Sequence, residues 1–244
     1  MSIRVVEVQR SILKKNSTLA VGLRDRFARE GTYVLNLLSS PGSGKTTLLE
    51  ETLRHFASER RVAALVGDQA TDNDATRLQR SGAPVRQITT GSECRLDAIM
   101  IENALAAWET GPLDLLCIEN VGNLICPAEY DLGEDLRVVL FSVTEGEDKP
   151  LKYPLAFNTA DLVLLTKIDL ADATGFDRAL ARTNIEHVHP GVPVMELSTR
   201  TKEGFERWID VVESAMRAKP ATSSSALRTA NSPVASTTSA PSSS

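Results

Sequence analysis

Short, nearly all-apolar runs alternate along the chain with longer segments whose apolar positions recur every three or four residues. The runs cover residues 33–38, 62–66, 113–118, 138–143, 162–165 and 192–197, lengths typical of buried strands. Buried strands that alternate with helices indicate a parallel sheet covered on both faces, with ligands at the carboxyl ends of the strands. The pattern therefore predicts an α/β fold with a mostly parallel central sheet and helices on both faces.

Two of the helical segments have apolar faces that can be read from their spacing. In the first 30 residues, Leu19, Leu23 and Phe27 recur every four positions, and Gly31 follows as a stop. The second segment follows residue 94, and its predicted face comprises Leu96, Ile99, Met100, Asn103, Ala104, Ala107 and Trp108. We predict an amphipathic helix at each place.

Composition divides the chain into three parts. With 244 residues, the chain is long enough for one α/β domain plus extensions. Residues 1–30 form the predicted N-terminal helical extension, and residues 31–218 form the main domain. From residue 219 onward the chain is rich in Ser, Thr, Ala and Pro and nearly free of large apolar residues. Residues 219–244 are therefore predicted to be a disordered tail.

Charge and cysteine content exclude several classes of protein. The formal net charge of −5 gives no electrostatic support for binding nucleic acid. No apolar run approaches the roughly 20 residues that span a membrane, and the N-terminus lacks the apolar core of a signal peptide. Three cysteines are too few for a disulfide framework. We therefore expect a cytoplasmic protein with reduced thiols, and neither nucleic acid nor a membrane as a partner.

A turn rich in small residues follows the first apolar run. Its sequence, S-S-P-G-S-G-K-T at positions 39–46, matches the phosphate-loop pattern G-x-x-x-x-G-K-[ST] except at the first glycine, which is Ser39 here. Small residues let successive backbone N–H groups wrap a phosphate, and the helix that follows directs its positive end toward it. Lys45 is predicted to neutralise the β and γ phosphates, and the Thr46 hydroxyl to bind Mg²⁺. The predicted nucleotide-binding residues of the loop are Gly42, Ser43, Gly44, Lys45, Thr46 and Thr47.

A second element, T-K-I-D at positions 166–169, follows the apolar run 162–165 and resembles the [NT]-K-x-D element with which GTPases recognise the base. Asp169 can accept hydrogen bonds from guanine N1–H and the exocyclic amine, whereas adenine has no such donor pair. The stem of Lys167 can cover the base, and Thr166 completes the element. Ser198 and Thr199 follow the last apolar run, where the superfamily has its final base-contacting element, and backbone contacts are expected there. These residues predict GTP and GDP as ligands.

Acidic residues end two further apolar runs. E-N-V-G at positions 119–122 looks like the D-x-x-G element with glutamate for aspartate. Glu119 is predicted to hold Mg²⁺ through water, and Gly122 to donate its N–H to the γ-phosphate. Asp68 is a second candidate for the metal or the attacking water. We predict in-line attack of water on the γ-phosphorus, carried by Lys45, Asp68, Glu119 and Gly122.

The segments around these residues resemble the HypB family of hydrogenase-maturation GTPases over roughly residues 15–210. The matching pieces are N-L-L-S-S-P-G-S-G-K-T-T-L-L at 36–49, G-D-Q-A-T-D-N-D-A at 67–75, I-E-N-V-G-N-L at 118–124 and S-V-T-E-G-E-D-K-P-L-K-Y-P at 142–154. The resemblance implies a SIMIBI-type P-loop GTPase with slow hydrolysis and a nucleotide- or metal-dependent homodimer. It also implies nickel insertion into the large subunit of [NiFe] hydrogenase, together with a maturation partner that carries nickel.

The metal site implied by the resemblance departs from the family pattern at one position. The family's G-x-x-C-H-L-D-A is G-S-E-C-R-L-D-A at 91–98, so Arg95 replaces a histidine and cannot be a ligand. Cys94 is expected to open the following helix, where the helix N-terminus and the guanidinium favour a thiolate. Cys126 matches the second family cysteine, while Cys117 is a predicted core residue. In a two-fold dimer, the two copies of Cys94 and Cys126 offer four sulfurs to one Zn²⁺ or Ni²⁺ ion.

Other interpretations stay open. The urease accessory GTPase UreG carries C-P-H, whereas this chain has C-P-A at 126–128. A P-loop kinase would need an acceptor pocket and would leave T-K-I-D and the segment 142–154 without a role. A regulatory module would hold nucleotide but hardly hydrolyse it.

Overall fold

One parallel sheet organises residues 3–219, which a computed structural model of the chain describes. Its strands are β1 (Tyr33–Ser39), β2 (Val62–Asp68), β3 (Val85–Thr89), β4 (Leu115–Glu119), β5 (Leu136–Ser142), β6 (Leu162–Thr166) and β7 (Val194–Leu197). The strand order is β3-β2-β4-β1-β5-β6-β7, and every neighbouring pair is parallel. The predicted fold class is confirmed.

Helices connect the strands and cover the sheet. They are α1 (Ile3–Glu30), α2 (Lys45–Phe56), α3 (Asn73–Gln79), α4 (Ala98–Ala106), α5 (Lys149–Lys152), α6 (Pro154–Asn158), α7 (Ala171–Thr174), α8 (Arg178–Val188) and α9 (Phe205–Ala218). Short 3₁₀ helices cover Cys126–Glu129 and Ile168–Leu170. Within residues 3–219, none of the helices is both long and apolar enough to cross a membrane.

The side chains of β1 alternate between two apolar layers, as expected for a strand buried on both faces. Leu35 packs in one layer with Leu53 of α2 and Trp208 of α9. Val34 points to the other face, where it packs with Phe27 of α1. A further cluster on that second face comprises Leu38, Phe141, Phe157 and Ile185. The sheet is therefore covered on both sides, which leaves its carboxyl edge for the loops.

The predicted N-terminal extension packs into the core of the domain. Leu23 and Phe27 of α1 are 4% and 2% exposed. Gly133 has a φ of +79°, and a Cβ there would lie 2.9 Å from the Leu23 Cβ, so the 133 loop approaches the helix closely. The boundaries at residues 30 and 218 stay predictions, and residues 220–244 of the predicted tail lie outside the described residues.

Two local details differ from the sequence expectations. Strand β3 was missed, because its V-R-Q-I-T sequence lies at the sheet edge and is only partly buried. The predicted face of α4 was wrong in part: Ile99 is 40% exposed and Asn103 and Ala107 are exposed. Ala104 is buried and Met100 and Trp108 pack against the core as predicted, while the buried Ala98, Ile101 and Leu105 were missed. Asp97 caps the helix by accepting from the Met100 N–H, so Leu96 precedes the helix and cannot set its register.

Candidate functional site

The phosphate loop joins β1 to α2 at the carboxyl edge of the sheet. Gly42 has a φ of +78° and Gly44 a φ of +100°, a region in which other residues are strained. Among the described residues, no atom lies within 4 Å of the Cβ that either position would carry. These two glycines are therefore required by the backbone conformation and not by crowding.

Lys45 begins α2 and is almost completely buried. Its Nζ donates to Ser39 Oγ at 2.9 Å, and Ser39 Oγ donates in turn to the Ser40 carbonyl at 2.6 Å. The residue that departs from the phosphate-loop pattern thus holds the lysine in place. Burial lowers the pKa of Lys45, while the charges of Glu119 and Asp74 oppose this shift.

Thr46, Glu119 and Asp74 form a cluster of oxygen atoms beside Lys45. Thr46 Oγ1 lies 2.7 Å from Glu119 Oε1 and 3.0 Å from Asp74 Oδ1. Glu119 is 2% exposed, and its Oε2 has no hydrogen-bond partner among the described residues. Burial raises the pKa of Glu119 to about 7. The Thr46 hydroxyl and the Glu119 carboxylate, one oxygen of which is buried and unpaired, are hard oxygen donors of the kind that suits Mg²⁺. The residues therefore fit this ion.

Replacing Glu119 with glutamine is expected to stabilise the nucleotide-free protein at pH 8. The pKa of Glu119 rises from 4.5 to about 7 on folding. A carboxyl whose pKa is raised on folding loses stability as the pH increases between those two values. At pH 8 the ionised group therefore costs on the order of 1–3 kcal/mol. Urea unfolding should show a higher midpoint for Glu119→Gln at pH 8 and a much smaller difference at pH 4.

The exposed Glu102 of α4 offers the matched control. Glu102→Gln should leave the unfolding midpoint unchanged at both pH values. If Glu119→Gln were less stable than the parent at pH 8, the assignment of Glu119 as a carboxylate that burial destabilises would be wrong.

Asp68 lies at the end of β2 and lines the same cavity as Lys45, Thr46 and Glu119. One of its carboxylate oxygens already accepts hydrogen bonds from the backbone. Its Oδ1 accepts from the N–H groups of Ala70 and Thr71, both at 2.9 Å. Burial would raise the pKa of Asp68, but these backbone donors outweigh it and lower the pKa. The carboxylates within hydrogen-bond distance of Thr46 are Glu119 and Asp74. Asp74 is not among the residues that the sequence predicted for the site. The roles of Asp68 in metal binding and catalysis stay predictions.

Gly122 lies against the phosphate loop. A Cβ at this position would lie 3.1 Å from Pro41 Cγ and 3.3 Å from Pro41 Cα, so a larger residue would push the two loops apart. Asn120, two positions before Gly122, accepts a hydrogen bond from the Leu96 N–H at 3.1 Å. Asn123 donates to the Cys94 carbonyl at 3.3 Å. Segment 119–126 therefore connects the phosphate loop with the loop that carries Cys94.

These groups surround a cavity of about 490 Å³, within the size range of small-molecule sites. Its lining includes Gly42, Gly44, Lys45, Thr46, Thr47, Asp68, Asp74, Arg77, Glu119, Gly122 and Lys167. Two further contacts were not foreseen: Arg77 Nη2 donates to Thr47 Oγ1 at 2.8 Å, and Ser43 Oγ donates to Glu145 Oε1 at 2.6 Å. Asp74 and Glu145 lie within the family-like segments 67–75 and 142–154, which were the available signal for them.

The predicted base-recognition residues lie beside this cavity, at the ends of β6 and β7. Thr166 Oγ1 donates to the Ser43 carbonyl at 2.8 Å, and Lys167 Nζ donates to the Gly42 carbonyl at 2.6 Å. These bonds tie the T-K-I-D element to the phosphate loop. Asp169 does not line the cavity, and it contacts Ser198 instead. Thr199 lies in the turn after Ser198.

The structure brings Cys94 and Cys126 of one chain together. Both are half-buried free thiols, and the hydrogen bond with Cys94, followed by burial, raises the pKa of the Cys126 thiol. Within residues 3–219, no group of three or more His, Cys, Asp and Glu side chains is arranged to hold a metal ion. One chain therefore offers two thiols. Cys117 is fully buried in β4, where burial raises its pKa to about 12, as expected for a core cysteine.

The predicted setting of Cys94 was wrong, because α4 begins at Ala98 and Cys94 lies in the loop before it. Its thiol does not sit at a helix N-terminus. The Arg95 guanidinium stacks 4.0 Å from the centre of the Tyr130 ring and pairs with Glu93. Arg95 is thus held by neighbours other than the thiols.

A parallel sheet with a phosphate loop after β1, a buried lysine and an oxygen cluster at the carboxyl edge defines a P-loop nucleotide hydrolase. Residues 33–196 match the family CobW/HypB/UreG, nucleotide-binding domain. The chain belongs to the HypB family of hydrogenase maturation factors within this group.

Sequence and structure comparisons agree on this family. The hydrogenase maturation factor HypB of Azotobacter chroococcum mcd 1 is 47% identical over 210 residues, which cover 86% of this chain and 69% of that protein. The crystal structure of HypB from Helicobacter pylori in complex with nickel is 39% identical, with a TM-score of 0.78, and covers 83% of this chain and 95% of that one. The crystal structure of HypB from Archaeoglobus fulgidus is 40% identical, with a TM-score of 0.77, and the match covers 83% of this chain and 99% of that one. These matches favour the hydrogenase-maturation interpretation over the kinase alternative.

Proposed function

We propose that this chain binds and hydrolyses GTP with Mg²⁺ and uses the reaction to assist insertion of nickel into the large subunit of [NiFe] hydrogenase. The observation that carries the proposal is the buried cluster of Lys45, Thr46 and Glu119 at the carboxyl edge of the sheet. Membership of the HypB family supplies the hydrogenase context.

Each residue of the cavity has its own proposed role in hydrolysis. Lys45 neutralises charge that develops on the γ-phosphate as water attacks in line. Thr46 and Glu119 would hold Mg²⁺, and the ion would neutralise charge on the phosphate oxygens. The Gly122 N–H donates to the γ-phosphate, and Asp68 orients the attacking water.

Guanine is the base we infer, because Asp169 follows β6 in the T-K-I-D element. A carboxylate can accept two parallel N–H bonds from the guanine edge, and a bidentate pair of this kind discriminates between bases. Lys167 lies between the phosphate loop and Asp169, where its stem can cover the base.

Replacing Asp169 with asparagine is expected to move the base preference from guanine toward xanthine. The amide has one donor and one acceptor, so it matches the changed edge of xanthine and mismatches guanine. The ratio of kcat/KM for GTP to that for XTP should fall roughly 10–100-fold, as expected for loss of one bidentate pair. Asp172→Asn, on α7, is the control and should leave the ratio unchanged. An unchanged ratio in Asp169→Asn would refute the assignment of the base.

Nickel is the proposed cargo, and Cys94 and Cys126 are its proposed ligands. A relative whose structure is in complex with nickel supports this assignment. Because one chain offers two thiols, a four-sulfur site requires two chains, and we infer a homodimer with the ion between them. Four sulfurs also suit Zn²⁺, so both ions belong in the test.

The remaining partners follow from the proposed cargo. The nickel must come from a maturation partner that carries it and must pass to the hydrogenase large subunit. Segment 119–126 runs from Glu119 to Cys126, so a nucleotide-dependent shift at Gly122 would reach the thiols directly. Three free thiols fit a reducing compartment, and the proposed location is the cytoplasm.

A further inference from the structure

The Asp169 carboxylate has two side-chain hydrogen-bond donors within the chain itself. Ser198 Oγ donates to Oδ1 at 2.5 Å, and Arg200 Nε donates to Oδ2 at 2.9 Å. These hydrogen bonds, that of Ser198 first, hold the pKa of Asp169 below its usual range, so the group is ionised at neutral pH. The carboxylate that should accept from guanine therefore also accepts from two side chains of the chain itself.

The two donors differ in their position relative to solvent. Ser198 is completely buried, whereas the Arg200 side chain is 75% exposed and that of Asp169 only 9% exposed. A base approaches from solvent, so it reaches the carboxylate from the side that Arg200 covers. The buried Ser198 hydroxyl can stay in place, because a carboxylate has about four lone-pair sites for acceptance.

Arg200 also offers the same kind of donor as the expected base. The guanidinium is planar and carries adjacent N–H groups that match a carboxylate. Guanine presents a similar planar pair, N1–H and the exocyclic amine, to the same oxygens. An arginine at this place is thus a chemical substitute for the guanine edge.

We propose that Arg200 is a specificity-determining residue that competes with guanine for Asp169 and so lowers the affinity of the chain for guanine nucleotides. The inference rests on the proposed function, because it needs Asp169 to be the residue that recognises the base. Nucleotide binding requires the exposed Arg200–Asp169 ion pair to break. The free energy needed to break this pair reduces the net free energy of nucleotide binding. An intrinsic competitor of this kind favours release of GDP after hydrolysis.

The test is the equilibrium affinity of the full chain for GDP and Mg²⁺, measured by calorimetry. Arg200→Ala should bind GDP about two- to fivefold more tightly than the parent, the range expected for an exposed ion pair. The gain should shrink as salt is raised from low to high, because salt screens the pair that is lost. Lys202→Ala is the matched control: Lys202 is two residues away and pairs with Glu51, so removal of its charge should not tighten binding.

A double-mutant cycle tests whether the effect passes through Asp169. In the Asp169→Asn background, addition of Arg200→Ala should not change the affinity for xanthosine diphosphate, because the ion pair is already absent. Weaker or unchanged GDP binding in Arg200→Ala, or an equal gain in the asparagine background, would overturn the competition. If the parent chain showed no preference for GDP over ADP, the proposed function itself would fail, and the inference with it.

Discussion

Replacement of Lys45 by alanine is expected to lower kcat for GTP hydrolysis about 10²–10³-fold, the usual effect of removing one preorganised group that stabilises transition-state charge. Lys45 is 7% exposed, and Ser39 Oγ holds its ammonium beside the oxygens of Thr46 and Glu119. Because Lys45 is proposed to neutralise charge that develops on the γ-phosphate in the transition state, its loss should appear in kcat. The measurement is phosphate release at saturating GTP and Mg²⁺.

Lys15 on α1 provides a matched control, because it is an exposed lysine far in sequence from the phosphate loop. Lys15→Ala should hydrolyse GTP at the rate of the parent. Circular dichroism spectra of both variants exclude unfolding as the cause of a lower rate. Hydrolysis by Lys45→Ala at the rate of the parent would contradict the assignment of the phosphate loop.

Replacement of Cys94 by alanine is expected to weaken Ni²⁺ binding more than about 100-fold. Loss of a group that only supports a metal ligand costs about 10–100-fold in affinity, so loss of a sulfur ligand itself should cost more. Cys126→Ala should have an equal effect, since the two thiols are in contact within one chain. Calorimetric titration with Ni²⁺ and, separately, Zn²⁺ should give one ion per two chains for the parent.

Cys117 is the third cysteine of the chain and lies buried in β4, which makes Cys117→Ala the appropriate control. This variant should keep the metal affinity of the parent. Stoichiometric binding of one ion to each chain, retained in Cys94→Ala, would refute the shared four-sulfur site.

The architecture could be predicted because its determinants are local. Fully buried strands such as β1 and β4 are nearly all-apolar runs, and such runs indicate a parallel sheet even when the neighbouring strands are unknown. Strand β3 was not predicted, because it lies at the sheet edge and carries polar residues such as Arg86 and Gln87. The face of α4 was misassigned because Leu96 is buried in a loop, where it is not part of the helical repeat.

Those parts of the candidate site could be predicted whose residues all lie in one short sequence motif. The phosphate loop and T-K-I-D are of this kind, and the structure places both at the carboxyl edge of the sheet. Contacts between distant segments were not foreseen. Asp74 reaches Thr46 across 28 positions, Glu145 reaches Ser43 across 102, and Arg200 reaches Asp169 across 31. Such pairs depend on how the loops fold back over the sheet, which the spacing of residues along the chain does not specify.

Nickel insertion by this chain is tested most directly by nickel loading of the hydrogenase large subunit in cells that lack their own HypB. The parent chain should restore the nickel content of the purified large subunit, whereas Lys45→Ala and Cys94→Ala, expressed at equal levels, should not. Such a result would tie both the phosphate loop and the thiol pair to nickel insertion. Restoration by Lys45→Ala to the level of the parent would contradict the claim that this chain drives nickel insertion by hydrolysing nucleotide.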